Sequence, residues 1–146
     1  MAAINAGKVV VGGLLAGLVI NVVETVMHMF VLMDASRAME ERLGLVEPGG
    51  AAIAGFLVLG FVLGMLIAWV YAAIRPRFGA GPQTAVIAAL VVWVGAALVP
   101  IAGWTMMGVF TTGYAVIGLV YSLVQFVLAA IVAGMVYREG AAAPAM

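Results

Sequence analysis

Four apolar runs, residues 9–33, 51–74, 84–103 and 113–137, divide the chain, and short polar or turn-forming stretches separate them. Pro48-Gly49-Gly50 opens the second run and Arg75-Pro76-Arg77 closes it; Pro82 precedes the third, which ends at Pro100 or Gly103; Arg138 follows the fourth. At about 1.5 Å per helical residue, about 20 residues cross a hydrocarbon core of roughly 30 Å. The pattern predicts an all-α, polytopic membrane protein: a four-transmembrane-helix bundle forming one membrane domain over residues 1–146. Residues 34–47 predict a short amphipathic outer segment between helices one and two. Asp34 or Ser36 caps it, Met39 and Leu43 pair at i,i+4, and Gly44 stops it. A solvated charged loop is the equally weighted alternative.

Polar residues interrupt the first run at Asn21, Glu24 and His28. At about 100° per residue they share a stripe with Gly13 and Gly17, all within roughly 80°. The middle of run one falls near Asn21 and that of run four near Gln125. The two helices run oppositely, so Asn21 lies level with Gln125, Glu24 with Tyr121 and Ser122, and His28 with Gly118. Gly118, Ser122, Gln125 and Ala129 form a second stripe, within roughly 60°. Small residues allow close approach and amides supply interhelical hydrogen bonds, so helices one and four are expected to pack through these two stripes. The candidate binding residues are therefore Asn21, Glu24, His28, Tyr121, Ser122 and Gln125. Gly60 and Gly64 form a GxxxG on helix two, read as a packing motif rather than a ligand site.

Hydrophobic residues make up 67% of the chain, charged residues 8%, and mean hydropathy is +1.30. A globular domain carries about a quarter charged residues, so composition also points to the bilayer and leaves no length for a soluble domain. Net charge is zero with no basic cluster, which argues against nucleic acid as a partner. There is no cysteine and a single histidine, which excludes disulfides, thiolate sites and a bis-His haem within one protomer. Lys8 ahead of an apolar run imitates a signal peptide, but the run is long, contains Glu24 and lacks a small-residue cleavage site at residues 34–38; it is read as a retained helix. Lys8, Arg75, Arg77 and Arg138 fall on one side and only Arg37 and Arg42 on the other, so the positive-inside rule puts both termini in the cytoplasm. Trp69, Tyr71, Tyr137 and Trp104 fit interfacial anchors. Residues 101–112, uncharged, are expected in the interface or over the bundle mouth. Helices two and four both end in a tyrosine near an arginine, an echo that common membrane demands explain as well as duplication does.

Several chemistries compete for the polar stripe. Glu24 and His28 at i,i+4 can touch, and pairing offsets the cost of an intramembrane charge, about 2.5–3.5 kcal/mol on insertion scales. A packing clasp and a proton-accepting or ligand-binding pair are evenly matched. Two ligands fall short of the three or four that a metal site takes; Met27, His28 and Met29 diverge around the helix and cannot converge on copper. Axial ligation of a chlorin or haem by His28 lacks an attachment motif. A Ser122, His28 and Glu24 triad matches in residue type only, since depth sets Ser122 nearer Glu24 and no oxyanion donor is evident. Pro100 either breaks helix three at a transport site or simply stops it.

A Gly12-Gly13-Leu14-Leu15-Ala16-Gly17…Asn21…Glu24…His28 helix is followed by Met39…Leu43-Gly44, a Gly-rich helix two, Val91-Val92-Trp93-Val94…Pro100 and Tyr121…Ala129. In this order the chain resembles small four-helix bacterial inner-membrane proteins of uncharacterised families. The resemblance implies a four-helix bundle in a bacterial inner membrane and transfers no activity. The leading expectation is a non-enzymatic accessory or scaffold protein in the lipid bilayer, a homo-oligomer or part of a larger membrane complex, without cofactor or metal. A small transporter or proton-coupled channel using Glu24 and His28 comes next, and a cofactor-binding subunit with His28 as ligand third. The orientation is testable because the chain has no thiol background: in intact cells a cysteine replacing Glu47 should react with an impermeant maleimide, and one replacing Ala80 should be protected until the cells are opened.

Overall fold

In a computed structural model describing residues 4–138, every regular element is helical and none of the described residues forms a strand. Four helices are long and apolar enough to cross a membrane: α1 (Ala6–Leu43), α2 (Gly50–Phe78), α3 (Pro82–Met106) and α4 (Thr112–Val136). They run up and down. One end of the bundle, called here the near end, carries the start of α1 and the α2–α3 turn; the far end carries the α1–α2 and α3–α4 connections. Asn5 caps α1, its side-chain oxygen accepting the Lys8 N–H at 3.1 Å, and Thr111 caps α4 by accepting the Tyr114 N–H at 3.3 Å.

The amphipathic segment expected as a separate outer helix is instead the last third of α1. Met33–Leu43 is helical and Gly44 ends it in the left-handed region at φ 65°, as expected, but neither Asp34 nor Ser36 begins a helix. A π-helical turn, His28–Leu32, carries the backbone from the apolar part into the polar part without a break. The His28 N–H is shared between the carbonyls of Glu24 and Thr25. α3 also outlives its expected stop. It passes through Pro100 to Met106 because a second π turn, Val94–Leu98, opens the ladder just before the proline. There the Val99 N–H reaches back to the Val94 carbonyl, relieving the contact that a proline ring makes with the carbonyl four residues earlier.

α1 lies against α2 and α4, and α3 packs on α4 and α2. The α1–α2 contact is a meeting of glycines. A Cβ on Gly13 would stand 2.8 Å from Met65 Cα, and one on Gly17 2.7 Å from Phe61 Cα. A Cβ on Gly64 would strike the Gly13 carbonyl and the Gly17 backbone nitrogen, and one on Gly60 the Asn21 amide. The GxxxG of α2 is thus a packing motif, as read. Its partner is the Gly13/Gly17 stripe that had been expected to face α4. α4 is met through Gly12 instead, where a Cβ would come within 3.2 Å of the Ala133 carbonyl.

Packing is uneven along the bundle. The near half holds the core, with Ala16, Ile67, Ala68, Ala88, Ala129 and Ala133 each no more than 2% exposed. Tyr71 and Tyr137, expected at the interface, are buried there. Their rings meet edge-on at 6.0 Å, Arg75 lies 5.4 Å over Tyr137, and their hydroxyls accept the N–H groups of Gly81 and Asn5. Trp69 and Trp104 are exposed, as anchors require. In the far half, α2 residues 51–59 are all exposed. Gly64→Val should therefore lower the stability of the detergent-solubilised protein by about 1–3 kcal/mol, as overpacking does. Gly55→Ala, where a Cβ meets open space, should leave the thermal midpoint unchanged or slightly raised.

Candidate functional site

Five of the six candidate residues are divided among three helix contacts rather than gathered on one, and His28 joins none of them. Asn21 donates from Nδ2 to the Leu57 carbonyl of α2 at 3.1 Å, next to Gly60. Without a side chain at Gly60 the amide reaches the α2 backbone. The expected Asn21–Gln125 level is correct, yet Asn21 is turned towards α2.

Glu24 and α4 form the centre. The Tyr121 hydroxyl donates to the Glu24 carboxylate, lying 3.0 Å from Oε1 and 3.1 Å from Oε2. Gln125, 1% exposed, donates from Nε2 to the Ile20 carbonyl at 2.7 Å and stands 3.4 Å from Glu24 Oε2. The depth match of Glu24 with Tyr121 is therefore realised as a bond. Both donors are neutral. Glu24 remains exposed although it lies on the side of α1 that faces its neighbours, as do residues 51–59 of α2.

Ser122 and His28 stand apart from this centre. The Ser122 hydroxyl accepts the Trp93 indole N–H at 3.0 Å and itself donates to the Leu119 carbonyl at 3.2 Å. It ties α4 to α3 and is not directed at His28, so the residue types of a triad do not assemble. The His28 side chain is exposed and makes no hydrogen bond or ion pair with the Glu24 carboxylate. Its place at the start of the π turn separates it from the α4 contact, and the i,i+4 spacing alone does not bring the pair together. Among the described residues no three His, Cys, Asp or Glu side chains converge.

Two participants escaped the sequence reading. Trp93 was seen only as part of an apolar helix, although a buried indole N–H has to find an acceptor, and that requirement was the available signal. The Ile20 carbonyl carries no signal in sequence at all. With these included, one level of the molecule holds a polar girdle: Asn21 to α2, Gln125 and Tyr121 between α4 and α1, Trp93 between α3 and α4. Comparisons with protein-family models, curated proteins and solved structures return no match. Gln125→Leu should lower stability by about 0.5–2 kcal/mol, the range of interhelical polar contacts in membranes, and His28→Ala should lie within about 0.5 kcal/mol of the parent. Chemical unfolding in mixed micelles measures both.

Proposed function

We propose that this chain is a multi-pass membrane protein that takes up a proton or small cation at Glu24, a small transporter or proton-coupled channel rather than an enzyme. The observation that carries the reading is the exposure of a carboxylate held only by neutral donors, Tyr121 and Gln125, in the middle of a long apolar helix. A packing clasp has no need of the charge. Gln125 already satisfies itself on the Ile20 carbonyl, and a glutamine at position 24 would still accept from Tyr121 through its amide oxygen. An ionisable group in such a helix costs free energy and is by default a functional residue. The neutral donors stabilise the carboxylate without cancelling its charge, which leaves it able to bind a proton or cation reversibly.

The apolar outward surface supports a bilayer location, and the Lys and Arg distribution supports both termini inside; a bacterial cytoplasmic membrane is what the pattern-level resemblance implies. Homo-oligomer formation belongs to the same proposal, because α2 residues 51–59 offer an uncovered apolar face. The scaffold reading keeps one observation of its own: the Asn21, Gln125 and Trp93 bonds join all four helices and need no ligand.

Proteoliposomes with an internal pH dye, driven by a potassium gradient and valinomycin, separate the two. The parent protein should carry protons faster than empty vesicles. Glu24→Gln should fall to the empty-vesicle rate with its thermal midpoint unchanged, and Tyr121→Phe should retain a reduced rate. Equal rates for the parent and Glu24→Gln would favour the scaffold.

A further inference from the structure

We propose that the far third of α1, Met33–Leu43, is a hinged arm that swings about the π turn His28–Leu32, is latched by Arg42, and through the bond from the His28 N–H to the Glu24 carbonyl changes the setting of Glu24; that coupling rests on the reading of Glu24 above. Three observations meet here. The first is the hinge. π turns inside α-helices mark functional positions, and this one begins one helical turn beyond Glu24, with the His28 N–H bonded to the carbonyl of Glu24 itself. Returning the turn to α-helical register moves the chain by one residue. That corresponds to about 100° of rotation and 1.5 Å of rise between the arm and the segment bearing Glu24.

The second observation is the latch. Arg42, in the arm's last turn, donates from Nη1 to the Gly108 carbonyl at 2.7 Å and from Nη2 to the Val109 carbonyl. Both acceptors belong to the α3–α4 connection, and Gly108 turns there at φ 76°. These exposed charge-assisted bonds reach across to the chain's other far-end connection, and their loss leaves no charge buried. The third is the space beneath. A hollow of about 330 Å³ separates Ala38 and Met39 of the arm from Thr111 and Tyr114 at the start of α4. The arm is seated mainly at its root, by Leu32 and Ser36, while most of its length is exposed. A segment rooted at a π turn, held at its tip and underlain by space has two distinct positions, latched and released.

Spin labels in lipid nanodiscs test the swing. One pair, at Glu41 and Gln83, spans the hinge and the bundle; a second, at Lys8 and Val22, lies wholly on the near side of the hinge. Arg42→Ala should shift or broaden the first distance by about 5 Å or more and leave the second unchanged, and Arg42→Lys should give an intermediate distribution. Deleting Phe30, which restores α-helical register with Arg42 still present, should also change the first distance. Parent-like distances in both Arg42→Ala and the deletion overturn the hinged arm, as does a change in the Lys8–Val22 distance. In the vesicle assay Arg42→Ala should alter proton flux at least threefold, and unchanged flux with a released arm overturns the coupling of the arm to Glu24. If the arm swings but Glu24→Gln carries protons like the parent, the reading of Glu24 fails and the hinge stands.

Discussion

The backbone contact between α1 and α2 governs the rest of the molecule. Gly13 and Gly17 meet Gly60 and Gly64 so closely that a Cβ at Gly64 would overlap the α1 backbone. Apolar side chains gain little by leaving lipid for one another, so van der Waals contact and interhelical hydrogen bonds must hold such helices, and glycines maximise both. The same closeness lets a side chain as short as Asn21 reach the Leu57 carbonyl. It also fixes the rotation of α1. With Gly13, Gly17 and Asn21 committed to α2, the face bearing Gly12, Ile20 and Glu24 is left for α4, and Tyr121 and Gln125 stand where they can engage it.

The polar girdle divides accordingly into groups that a packing role explains and one that it does not. Asn21, Gln125, Ser122 and Trp93 are neutral and find partners across helix contacts. Glu24 differs in charge and in exposure. Interhelical hydrogen bonds between neutral groups in membranes are worth about 0.6 kcal/mol on average, whereas bonds to a charged group are worth about 1.5–3 kcal/mol, the same order as the roughly 2.5–3.5 kcal/mol cost of inserting a central ionised residue. The Tyr121 and Gln125 bonds can hold a carboxylate there but leave its charge in place, and under the proposal above that charge serves what Glu24 binds rather than what it holds together.

Much of this was legible in the sequence, and the failures have a common cause. Hydrophobic run lengths gave the four helices, GxxxG gave a packing face, and helix direction gave the depth match that places Tyr121 on Glu24. The facing partners were misassigned because a stripe about 80° wide on α1 lies between two neighbours, and periodicity does not say which neighbour takes which edge. Gly13, Gly17 and Asn21 went to α2 and Glu24 to α4. The extended α1 was missed for a different reason: Asp34 and Ser36 are good caps in isolation, but a π turn needs no cap and leaves no compositional mark. Tyr71 and Tyr137 read as interfacial because buried tyrosines look the same as anchoring ones until the backbone donors at Gly81 and Asn5 are in place.

The two π turns fall where packing loosens. Below them, α1 and α2 are locked by glycine contact and the alanine-rich core is closed; beyond them, α2 residues 51–59 are uncovered and α1 is seated by a few residues and Arg42. In α3 the turn has a local cause, Pro100, whose missing N–H would in any case leave a carbonyl without its helical donor. In α1 there is no proline, and the wide turn has to be maintained by the positions of its two flanks, one held to α4 through Glu24 and the other to the α3–α4 connection through Arg42. Protonating or binding a cation at Glu24 changes the first of these attachments directly. The charge that is hardest to justify as packing is therefore also the one placed to change the balance between the closed near half and the loosely held far half.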